Sequence, residues 1–241
     1  MSGNVLTRTP SPIANRIFHP PELWLILQIL GAAPTVQQAP VDAGFDQLAV
    51  NNAITNLLRN GVLTADANGD VSLSAAVDAL IRPSAFPSAV IMASVMDRSS
   101  QNAPSRILCF CRAGDTVTAN WVDARGDHHF TSYAAKDAGA CVLAHLSGAC
   151  DFDVKAPDVK LPAPTPRDLA RAAETMKQAV ALTAINATGK SEQAAGWFIA
   201  EGSAWLMQSR PAGSDKAPRR ASRNDVARAV VELAEKVLMK A

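Results

Sequence analysis

The sequence predicts an α+β protein: a winged-helix-like N-terminal segment, then two pseudo-symmetric halves, each a small antiparallel sheet covered by helices. Three observations predict it. Residues 22–80 run helix, helix, Asn-Gly stop, hairpin, helix. From Ser88 to Tyr133 the apolar period falls from the helical 3.6 to the 2 of strands. A tight hairpin followed by a closing helix then occurs twice, over Thr116–Leu146 and Gly196–Leu238, with negligible residue identity between the two. Runs of strands capped by helices fit α+β rather than an alternating βα chain.

Composition agrees with a packed globular protein. The 241 residues are enough to bury a real core, and 48% hydrophobic with 19% charged residues excludes a disordered chain. Lys+Arg 23 against Asp+Glu 22 leaves a net charge of +1, so no global field draws the protein to nucleic acid or anionic lipid. Met1–Arg16 carries Arg8, Arg16, Pro10 and Pro12 and lacks the apolar core of a secretory signal. The greasiest stretch, Leu23 to Leu30, contains Gln28 and is far too short to span a bilayer. Four cysteines, Cys109, Cys111, Cys141 and Cys150, are too few for a disulfide framework, and a reduced cytoplasmic setting is expected.

The N-terminal half is placed at 1–152. Pro20-Pro21 starts a short helix to Leu30. Phe45, Leu48, Ala49, Ala53, Ile54, Leu57 and Leu58 give a second helix, which Asn60-Gly61 stops. Val62–Thr64 and Val71–Leu73 flank the turn Asp66-Ala67-Asn68-Gly69, and Ser74 caps a helix expected to end before Pro83. Strands are expected at Ala89–Met96, Ile107–Arg112, Thr116–Val122 and His128–Tyr133, and a helix from Lys136 to Leu146.

Four prolines (Pro157, Pro162, Pro164, Pro166) mark 153–167 as an extended connector. The C-terminal half, 168–241, is expected as helix, hairpin, helix. Leu169, Ala172, Ala173, Met176, Val180 and Thr183 share one face of a helix over Asp168–Ile185. Gly196–Ala200 and Ser203–Gln208 make the clearest hairpin, followed by a basic loop over Pro211–Arg223. Ser222 or Asn224 then caps a last helix with Val226, Val230, Leu233 and Val237 inward, and Glu232 pairs with Lys236 outside.

Cys109 and Cys111 alternate along one strand, and Cys141 and His145 lie one helical turn apart, which in principle assembles a zinc tetrad. The spacing is wrong for a finger or ribbon, and buried free cysteine is the commoner state. No metal and no cofactor is expected. His128 and His129 are strand neighbours that face opposite sides, and His19 has no acid or nucleophile close in sequence. With no GxSxG, Walker loop, HExxH or dinucleotide fingerprint, an enzyme is not expected.

A DNA-binding regulator is the rival reading, since residues 22–80 outline a winged helix. The helix Gln47–Asn60 carries Arg59 as its one cation, and the wing carries Asp66 and Asp70, which would repel phosphates. The basic loop with Lys216, Arg219, Arg220, Arg223 and Arg228 supplies charge, although such runs are usually solvated surface. The outline is therefore read as a shape without DNA-binding chemistry. A structural subunit of a larger assembly is a third reading.

The step Leu57-Leu-Arg-Asn-Gly-Val-Leu63, the hairpin ending Asp70-Val-Ser-Leu73, and the Ala/Leu helix closing through Leu80 on Pro83 precede two halves of sheet plus helix. In this order, which is shared over most of the chain, the sequence resembles the EspG family, cytosolic chaperones of type VII (ESX) secretion in actinobacteria. The resemblance implies a non-enzymatic chaperone that grips the tip of a helical PE–PPE-like substrate pair and keeps it soluble until export. Its substrate surface would come from the central sheet and the C-terminal helices. The residues agree in kind: Trp197, Phe198, Trp205 and Met207 concentrate apolar area in one hairpin, with Trp205 and Met207 on one face and Leu206 on the other. One face must pack on helices; the other is either covered as core or open as a partner-binding patch.

Overall fold

The computed structural model describes residues 10–33, 44–98, 106–149, 164–186, 191–200, 203–209 and 216–239. The protein is α+β, built on one nine-stranded antiparallel sheet. In chain order the elements are β1 (Ala14–Phe18), α1 (Pro20–Leu30), α2 (Gln47–Arg59), β2 (Leu63–Ala65), β3 (Val71–Leu73) and α3 (Ala75–Ala85). Then come β4 (Ala89–Asp97), β5 (Arg106–Ala113), β6 (Thr116–Val122), β7 (His128–Ala134), a 3₁₀ turn and α4 (Ala138–Ala149). The remainder is α5 (Pro166–Glu174), β8 (Met176–Asn186), β9 (Ser191–Ala200), β10 (Ser203–Ser209), β11 (Lys216–Ala221) and α6 (Arg223–Leu238). Across the sheet the order is β1-β7-β6-β5-β4-β8-β9-β10-β11, while β2 and β3 form a separate hairpin.

The strands of the two halves do not stay apart. β4 and β8 pair over nine residues, from Ala89 opposite Asn186 to Asp97 opposite Gln178, and fuse them into one sheet. Alternation then decides what each face buries. Ile91, Ala93 and Val95 on β4, Leu108 and Phe110 on β5, and Val180, Leu182 and Ala184 on β8 point to one side, under α4 and α6. This is the main core, and Trp197, Ala204 and Leu206 extend it toward the far edge. The two covering helices cross closely at Gly139, where a Cβ would come within 2.9 Å of Val231 Cγ1. The opposite side carries two smaller clusters. Phe18 and Phe130 pack under α1, α2 and α3 with Leu23, Ile26, Leu57 and Leu80. Phe198, Ala200 and Trp205 pack under α5 with Ala172.

Three expectations need correction, and one strand lies outside them. The helix foreseen over Asp168–Ile185 is α5 followed by β8. Thr165 and Asp168 close a capping box that starts α5, and beyond Glu174 the chain is claimed by β4 and β9 on either side. Alanine-rich spacing fits both periods, so the sheet ladders win over helix propensity. The basic loop over Pro211–Arg223 contains a strand: Lys216–Ala221 pairs with β10, and charge is well tolerated on an edge strand. α3 runs through Pro83 to Ala85 instead of stopping before it, because a proline in the last turn forfeits a single backbone bond. β1 was not foreseen at all; it is too short to show a period, and its pairing with β7 defines it. Of the connector 153–167, residues 153–163 lie outside the described residues, and Pro166 opens α5.

Among the described residues no helix is long and apolar enough to cross a membrane.

Candidate protein-binding site

Among the described residues, the second face of the sheet is covered toward its two ends, by α1–α3 and by α5. α3 sits over the β5–β6 end, where Thr118 Oγ1 donates 3.0 Å to the carbonyl of Leu80. α5 sits over Phe198, Ala200 and Trp205. Between them lies a row set by the pairing register: Ile107 opposite Ser94, Ser94 opposite Ala181, Ala181 opposite Gly196, Gly196 opposite Met207. The row crosses five strands, about 19 Å at the usual strand spacing. Its middle is lined by small residues and its ends by large ones, Ile107 and Met207, each 39% exposed. Met96, one residue pair along β4, is 40% exposed. Gly196 makes the floor tight, since a Cβ there would meet the Val180 carbonyl oxygen at 2.9 Å, and Met207 Cε lies over the same spot at 3.7 Å. A shallow apolar trough thus opens to solvent, of the kind that marks protein contact.

The four hairpin residues fall unevenly about this trough. Trp197 is 2% exposed and belongs to the main core. Phe198 and Trp205 stack with ring planes 1° apart and centroids 5.8 Å apart, forming the wall beneath α5. Arg220 on β11 lies over the Trp205 ring at 5.1 Å, a cation–π contact that closes the wall from outside. Met207 alone of the four reaches the surface. Sequence reasoning missed Ile107 and Met96: each looks like an ordinary strand residue, and only the placement of α3 and α5 leaves it exposed.

Among the described residues the cysteines and histidines form no joint site. Cys109 and Cys111 lie on the second face, whereas Cys141 and His145 sit on α4 against the first, so the sheet separates the pairs. No group of three metal-ligating side chains occurs among the described residues. Burial raises all three described thiols, Cys111 to about 12. Thiolate is the reactive form, so Cys111 and Cys141 are expected to resist iodoacetamide in the folded protein and to react on unfolding, as mapped by peptide mass.

His128 and His129 do point to opposite sides: His128 is buried on the second face, opposite Phe18 of β1, and His129 stacks on Trp121 at 5.0 Å. His129 Nε2 is 3.1 Å from Asp123 Oδ2. That bond, helped by the backbone N–H groups of Arg125 and Asp127, holds the Asp123 carboxyl at about 2. His19 has an acid that lies far off in sequence, Asp127, at 2.6 Å. Trp121, His145, Leu108 and Arg106 line a cleft of about 260 Å³ beside α4.

His145 carries a pH prediction. Burial lowers its pKa to about 4, and its Nε2 lies 3.0 Å from the Tyr133 hydroxyl. The unfolded state takes up its proton near pH 6.5 while the folded state does not, so this contribution is intact above that pH and is lost on acidification. About 2 kcal/mol is expected to be gone by pH 5. Denaturant midpoints between pH 7 and 5 should fall, and less steeply in His145→Gln.

No sequence-family model matches the chain, and no curated protein matches it in sequence. Its three-dimensional structure does find a counterpart. The type VII secretion system chaperone EspG5 of Mycobacterium tuberculosis, solved in complex with the PE25–PPE41 dimer, superposes with a TM-score of 0.62. The match covers 94% of this chain and 96% of that one at 12% sequence identity. One antiparallel sheet with, among the described residues, six helices, superposing over nearly both whole lengths, means that this chain has the EspG fold.

Proposed function

We propose that the protein is a non-enzymatic cytoplasmic chaperone that binds a helical protein substrate, a PE–PPE-like pair, and keeps it soluble for type VII export. One observation carries this reading: the fold agrees from end to end with a chaperone solved holding such a pair. The trough supplies a physical means. Its width of about 19 Å suits the tip of two packed helices, each about 10 Å across. Met207 at one end and Met96 on β4 beside the row adapt their shape to an irregular apolar partner. The hairpin Trp197, Phe198, Trp205 and Met207 then acts as a unit, with three buried aromatics holding the strand that presents Met207.

The test is co-expression with the PE–PPE pairs encoded in the same genome. A complex that survives size-exclusion chromatography is expected with at least one pair, together with a gain in soluble PPE protein. Failure of every pair to bind or to become more soluble overturns the reading.

A further inference from the structure

We propose that the cleft beside α4 is a binding site for a small aromatic carboxylate. Its volume of about 260 Å³ lies just below the range of drug-sized ligands and suits a fused-ring acid of fragment size. Leu108 on β5 and its register partner Trp121 on β6 turn to the face that α4 covers, and they form the floor. Ala144 and Gly148, one turn apart on α4, keep the helix side low. A Cβ at Gly148 would meet nothing within 4 Å, so the space there is open.

The chemistry of the lining selects the ligand. Arg106 at the start of β5 is exposed, and among the described residues nothing pairs with its guanidinium. The Trp121 indole is a donor only. The Tyr133 hydroxyl, 3.0 Å from His145 Nε2, can donate to it and leave the ring proton on Nδ1, which gives a third donor. Burial keeps this imidazole neutral above about pH 4, so Arg106 is the one charge among lining residues that include no carboxylate. Donors around a single cation match an anionic group that only accepts, and a carboxylate is the compact form of it. The remaining walls are aromatic. Trp121 has His129 stacked on it with planes 14° apart and His145 tilted at 54°, and a bound ring joins that group. The carboxylate lies on the strand side, at Arg106, because the last carbonyls of α4 repel a negative charge. The sheet separates this cleft from the trough, so the site stands independently of the chaperone reading.

Calorimetric titration of the full chain with indole-3-acetate tests the site. One molecule should bind per chain, with a Kd of roughly 10 μM to 1 mM for a ligand of this size. Indole-3-acetamide has the same ring without the charge and should bind about 10-fold more weakly or worse. Arg106→Gln should weaken the acid by about the same factor and leave the amide unchanged. Gly148→Leu sends a side chain into the open space and should abolish binding of both. Its melting temperature should be no lower than that of the wild type, since leucine favours a helix more than glycine does. The indole N–H resonance of Trp121, assigned in heteronuclear NMR by its loss in Trp121→Phe, should shift as the acid is added. Absence of saturable binding, equal affinity for acid and amide, or a folded Gly148→Leu variant that binds like the wild type overturns the proposal.

Discussion

Trp197→Ala is expected to lower stability by about 3–5 kcal/mol, the usual cost of emptying a buried tryptophan site. For a chain of this length that corresponds to a fall in Tm of roughly 10 °C. Trp197 is 2% exposed, and its register partners Val180 and Leu206 are buried on the same face. α6 closes over them with Val226, Val230 and Leu233. A strand on each side and a helix above leave little room for the site to collapse, which puts the cost toward the upper end of the range. Trp205→Ala makes the comparison informative. That ring lies on the opposite face, under the nine residues of α5 and against Phe198 and Arg220, near the edge of the sheet. It should cost clearly less. Thermal unfolding followed by circular dichroism ranks the two, and a larger loss for Trp205→Ala would contradict this account of the core.

The same hairpin shows how far the sequence could be read. Glu201-Gly202 between two apolar runs is a local signal, and β9 and β10 pair as expected. α6 was equally legible, since Ser222 and Asp225 close its capping box within four residues. β8 was not: Val180, Leu182 and Ala184 point inward because β4, some ninety residues earlier, lies beside them. Nothing within the segment separates that from a helix. The candidate site was half legible for the same reason. Apolar content singled out Trp197, Phe198, Trp205 and Met207, but which of these reaches solvent depends on where α5 lands. Ile107 joins Met207 in one row only through three intervening strands, a relation that no local pattern encodes.

Ile107→Asp combined with Met207→Asp is expected to abolish complex formation with the PE–PPE-like substrate while leaving the fold intact. Both side chains are 39% exposed, at opposite ends of the trough, so neither change empties a core site. In the free protein each carboxylate faces water and costs little. In the complex each would be pressed against apolar partner surface without a counter-charge, and an unpaired buried charge is strongly disfavoured. Truncating a central interface residue alone commonly costs about 2 kcal/mol or more, so two added charges should weaken binding by at least about 100-fold. Titration calorimetry reads the affinity and thermal unfolding checks the fold. The charge-neutral control Ile107→Leu with Met207→Leu keeps the apolar area and should bind within a few-fold of wild type. If the aspartate pair binds like the wild type, the substrate is held elsewhere on the chain, and the open sheet face is not its seat.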